Sequence, residues 1–173
     1  MTFARLTLPL LIALTATPAL AGAPDYSVSG GTLYASVKGW TVVLSEQYGC
    51  SAYPEAMPIV FNAPPAGGWQ LIFPYTASGG EGEFQGAIDV DKYSFTETYY
   101  GDGVWMYSSF PLDMRKAVAA GDRIFADIGP AQADLLLAGS TAALLKVEEC
   151  WKVLSGWDAA TSSRAGTFAF SGD

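Results

Sequence analysis

Histidine is absent from all 173 residues. That removes Ser-His and Cys-His nucleophile pairs and most zinc sites, which depend on imidazole as base or ligand. Positive charge is scarce: nine Lys and Arg stand against 17 Asp and Glu, a formal net charge of −8. Such a surface repels nucleic acid and anionic lipid, so neither is expected as a partner. Cysteine occurs only twice, as Cys50 and Cys150. Beyond the N-terminus no segment is apolar enough to cross a bilayer as a helix, and no membrane span is expected. There is no internal repeat, low-complexity tract or dividing linker. With 50% hydrophobic residues, the chain has enough apolar content for a real core.

The N-terminus carries a targeting pattern. Arg5 supplies a positive start, "LTLPLLIALTA" an apolar stretch of secretory length, and "ALA" at 19–21 a small-x-small cleavage site. Residues 1–21 therefore read as a cleaved signal peptide and residues 22–173 as a single β-rich domain. No cysteine follows the cleavage site directly, so no lipid anchor is expected there. The location expected is periplasmic or secreted. In an oxidising compartment, an even pair of cysteines reads as a disulfide, here Cys50–Cys150. The alternative is two free thiols, one of them reactive.

Short segments rich in β-branched and aromatic residues run through the chain. They are 32–38, 40–48, 57–62, 69–75, 84–90, 93–99, 104–109 and 123–128. "APPAGG" (63–68), "SGGEGE" (78–83) and "GDG" (101–103) separate several of them as turns. Two helices are predicted, at about 111–120 and 140–154. The first opens at Pro111 and stops at Gly121. The second has Ser140 as N-cap, Gly156 as terminator, and Leu144, Val147, Trp151 and Leu154 on one side. Cys150 lies beside that stripe. The fold class is mainly β, a sandwich or barrel-like antiparallel sheet with two short helices and one disulfide. The tail at 166–172, "GTFAFSG", alternates like a further strand.

Candidate chemistry is sparse. Ser140 follows an apolar run and a glycine, as some hydrolase nucleophiles do. Its setting, A-G-S-T-A, is neither a G-x-S-x-G elbow nor an S-x-x-K pair, so the helix cap is the favoured role. Asp89 and Asp91 form a D-x-D, the weak beginning of a calcium loop, without its central glycine or third acid. They are taken as a solvated turn, and no metal or other cofactor is expected. Five Trp, nine Tyr and nine Phe offer more. Trp40, Trp69 and Trp105 fall in predicted strands, where a core role is the default. Tyr99 and Tyr100 flank the Gly-Asp-Gly turn, and at least one is expected to face solvent. Tyr99, Tyr100 and Trp69 are the candidate recognition surface, with the 63–68 and 78–83 loops beside them.

Four motifs occur in order. "GWTVVLSEQYGCSAYP" (39–54) sets a tryptophan and β-run before a cysteine and a proline. "IDVDKYSFTETYYGDGVW" (88–105) is a hairpin, an aromatic strand and G-D-x-x-W. "MRKAVAAGDRIFADI" (114–128) is helix, glycine, strand. "ADLLLAGSTAALLKVEEC" (133–150) is a leucine-rich strand, Gly-Ser and a helix ending in cysteine. Together, across about 39–151, they resemble the invasion-associated locus B family of exported bacterial proteins. The resemblance implies a small exported β-rich domain without an established catalytic centre, linked in some pathogens to invasion of host cells. It also supports the Cys50–Cys150 bond. No catalytic residue is carried over from the family.

Three functional readings follow, in order. The first is a non-enzymatic exported domain binding a protein or envelope component. The second is a carbohydrate- or small-ligand-binding module with an aromatic groove near Tyr99, Tyr100 or Trp69. The third is a hydrolase built on two facing carboxylates, one with a raised pKa.

Overall fold

The computed structural model describes residues 31–54, 59–74, 81–128 and 131–156. The segment read as a signal peptide, 1–21, and the strand expected at 166–172 lie outside them. The described chain runs β1 (Thr32–Val37), β2 (Trp40–Ser45), β3 (Gly49–Pro54), β4 (Val60–Ala63), β5 (Gln70–Pro74), β6 (Glu81–Val90), β7 (Tyr93–Asp102) and β8 (Trp105–Ser109). It continues with α1 (Leu112–Ala120), β9 (Arg123–Ile128), β10 (Ala131–Leu136) and α2 (Ser140–Leu154). The strands form one antiparallel sheet in the order β1-β2-β3-β4-β5-β8-β7-β6-β9-β10. β10 comes close to β5, so the sheet curls over on itself.

Alternation along the strands assigns the two faces, because successive side chains point to opposite sides. Val42, Cys50, Ala52, Phe61, Leu71, Phe73, Met106, Ile88, Ile124 and Leu135 are buried. They face inward, and α2 lies against β1–β4 on that side while α1 touches α2 and β6. The helices thus fill the concave side of the curled sheet. Met114, Ala117 and Val118 of α1 and Ala143, Leu144 and Val147 of α2 complete the core. Trp40 stacks on Phe61 at 4.7 Å between ring centroids and donates its indole N–H to the Ala138 carbonyl at 3.0 Å. A buried indole so paired contributes its apolar area without stranding a donor.

Cys50 and Cys150 form a disulfide between β3 and α2, with Cα atoms 5.9 Å apart. Two more bonds seat the helix. The Tyr34 hydroxyl donates to Glu149 at 2.9 Å, and the Trp151 indole N–H donates to the Pro64 carbonyl at 2.9 Å.

The structure corrects several expectations. Ser140 does not cap α2. Gly139 holds the N-cap position with φ +84, and a Cβ there would lie 2.5 Å from the Lys38 carbonyl oxygen. Only glycine fits such a left-handed residue under a neighbouring turn. Ser140 instead is buried and donates to the Val118 carbonyl at 2.8 Å, and Thr141 donates to the Ala119 carbonyl. Those carbonyls belong to the last turn of α1, where acceptors lack partners within the helix. Gly121 ends α1 in extended geometry, not as a left-handed cap. A Cβ there would sit 2.8 Å from Val90 Cγ1 and 2.9 Å from Asp91 Oδ2, so close packing selects that glycine. The stretch 40–48 is not one strand: it turns after Ser45, and Gly49–Pro54 forms a strand that sequence patterning missed. Finally, β6 begins at Glu81, inside the turn expected at 78–83.

Candidate functional site

The three aromatic residues singled out from the sequence part company. Tyr99 is a correction: it is fully buried, packed edge-on against Phe73 at 6.2 Å, and takes no part in a surface. Burial, then the nearby Glu97, pushes its hydroxyl pKa up. That hydroxyl has no hydrogen-bond partner among the described residues. One residue along, strand alternation turns Tyr100 outward, 52% exposed.

Trp69 lies on the helix side. It is half-buried, its ring edge-on to Phe110 at 6.3 Å and covered by the Arg115 guanidinium at 4.6 Å. Burial holds the Arg115 pKa below its usual value, with Glu148 acting the other way. Trp69 is therefore seated under α1, on the opposite side of the sheet from Tyr100.

Tyr100 faces Tyr107 across the β7–β8 pair, and Tyr107 in turn pairs with Ile72 of β5. Both tyrosines project from the convex face. Asp102 organises the hairpin between them. One carboxylate oxygen accepts the backbone N–H groups of Val104 (2.8 Å) and Trp105 (2.6 Å). The other accepts the Tyr107 hydroxyl at 3.0 Å. Partial burial works against this carboxylate. The bonds from Trp105, Val104 and Tyr107 outweigh it and hold the pKa below the ordinary value. The Tyr107 hydroxyl is pushed up to about 12, first by burial and then by its bond to Asp102. Tyr48, in the β2–β3 turn, stands near enough for its charge to bear on Tyr107.

The result is an apolar-aromatic patch on the convex side. Tyr100, Tyr107 and Tyr48 (41% exposed) form it, with Val104 (60% exposed) at the hairpin tip. Sequence reading missed Tyr48 and Tyr107. The G-D-x-x-W-x-Y run was the available signal, since an aspartate at the start of a tight turn accepts bonds from residues two and three ahead.

The acids have clear roles as well. Asp91, at φ +49 in the β6–β7 turn, accepts the backbone N–H groups of Asp122 and Arg123. It ties the end of α1 to the β6–β7 turn. Asp89 lies on the convex face opposite Ser94 and Phe125. Among the described residues no group of three or more metal-ligating side chains comes together.

The sequence matches no protein-family model and no curated protein. Among solved structures the chain is similar to invasion associated protein B from Bartonella henselae, with a TM-score of 0.50 and 14% identity. The match covers 70% of this chain and 99% of that one. No helix among the described residues is long and apolar enough to cross a membrane. Identity that low speaks for architecture alone, and what it shows is that this chain has an invasion-associated-protein-B-like fold.

Proposed function

We propose that the protein is an exported, non-enzymatic β-domain that binds a protein or envelope component through the Tyr100–Tyr107 patch. The observation that carries this reading is the fixed hairpin: Asp102 holds Tyr107 and two backbone N–H groups, so Tyr100 and Val104 are presented on a braced element. Exposed aromatics on a rigid support lose little conformational entropy on binding and serve as interface anchors. The disulfide and the signal-like N-terminus support export.

The test is recovery of a partner from the envelope of the native host. Wild type should retain a partner that Tyr100→Ala loses while its melting temperature stays unchanged. Equal retention by both proteins would remove the patch from the account.

A further inference from the structure

Resting on that reading, we infer that the occupant of the convex face is an extended, lysine- and arginine-rich segment of a protein. The odd-numbered side chains of β6 share this face with Tyr100: Glu81, Glu83 and Asp89 among them. Glu83 stands directly opposite Tyr100, and Glu81 directly opposite Asp102. Glu81 and Asp102 thus add two acids at one end of this face. Asp127 of β9 adds another acid beside Ala87.

The compensating charge lies elsewhere. Among the described residues the basic side chain on this face is Arg123, and it is paired with Asp134 on β10. Arg115, Lys116, Lys146 and Lys152 belong to the helices, and Lys38 and Lys92 to turns. Lys92 stands 5.3 Å from the centre of the Tyr93 ring, so the molecule already seats one cation on a tyrosine. Tyr100 offers a ring face with the Glu83 carboxylate directly across from it, and Glu83 takes part in no salt bridge among the described residues.

Shape selects the class of cation. The acids are spread along a ten-residue strand rather than converging on a point. Same-face residues of β6 recur every ~7 Å, the spacing of alternate side chains in an extended peptide. A small ion would reach one carboxylate at a time, whereas an extended basic segment meets several at once, with its stems on the tyrosine rings.

The experiment titrates isotope-labelled protein with octalysine and follows backbone amide shifts. Perturbations should run along β6 and β7 through Glu83 and Tyr100. Affinity should fall about tenfold between low and high salt, as charge-driven association does. Glu81→Gln with Glu83→Gln should weaken binding by about tenfold, the range of two lost charge pairs. The charge-matched Asp113→Asn with Asp122→Asn should not.

Shifts confined to the helix side, equal weakening by the control pair, or no binding would overturn the inference. So would calcium ions alone reproducing the same shifts and blocking the peptide. Loss of octalysine binding in a protein that still captures a Tyr100-dependent partner rejects the cationic chemistry and leaves the recognition face standing. Octalysine binding without any Tyr100-dependent partner rejects the recognition role instead.

Discussion

The Cα atoms of Cys50 and Cys150 lie 5.9 Å apart although 100 residues separate them in sequence. The bond joins β3 to the helix that covers it, and it closes most of the folded chain into one loop. In chain-entropy terms a loop of that length is worth about 5 kcal/mol, chiefly by restricting the unfolded state. Reduction, or Cys150→Ser, should lower the melting temperature by roughly 10 °C, since about 1 kcal/mol shifts a domain of this size by some 2–4 °C. A thermal melt with and without reductant checks this. Coincident curves would show that the clasp contributes nothing.

Ser140→Ala should destabilise the protein by about 1–2 kcal/mol, because the Val118 carbonyl then loses a buried donor. The loss should appear as weakened docking of α1 on α2, with faster amide exchange in the last turn of α1. If Ser140 acted as a nucleophile, the variant would stay stable and lose an activity.

Gly139→Ala should cost more, about 2–3 kcal/mol, because it combines a left-handed backbone with a collision against Lys38. Chemical denaturation of the two variants orders them. A smaller loss for Gly139→Ala than for Ser140→Ala would contradict the turn geometry.

The Asp102 carboxylate has a folded pKa below its unfolded value of about 3.8. Its support for the hairpin is therefore fully present above about pH 4. It is lost as pH falls below that value and the carboxylate takes up a proton. The amides of Val104 and Trp105 should lose exchange protection in that acid window. Asp102→Ala should abolish the protection at neutral pH. Tyr107 gives the alkaline counterpart. Its hydroxyl is pushed up to about 12, so its contribution persists to about pH 10 and fades as pH rises toward 12. Ultraviolet titration of wild type against Tyr107→Phe reads that late-ionising group. Its ionisation near pH 10 would remove the bond to Asp102.

The architecture was legible from local signals because those signals are themselves local. Alternating apolar residues mark β6 and β9, and the Leu144, Val147, Trp151 stripe marks α2. Gly49–Pro54 escaped because it is buried on both faces and built from small residues, Gly, Cys, Ser and Ala, with no alternation to read. The roles of Ser140 and Gly121 depend on which element lies across from them, and that is a tertiary fact. The site was half legible. The tyrosines next to the Gly-Asp-Gly turn stood out, but which of the pair faces out depends on register. Phe84 opposite Tyr99 and Glu83 opposite Tyr100 settle that register. Tyr48 joins the patch only through folding of the sheet, from a turn about 50 residues away in sequence.

The convex face around Tyr100 is the proposed meeting point with a partner. A photo-crosslinking amino acid placed at Tyr100, and separately at Val153 on the exposed side of α2, tests it in the native envelope. A discrete adduct should form from position 100, weakened by Glu81→Gln with Glu83→Gln, and none from position 153. An adduct formed from position 153 and absent from position 100 would contradict it.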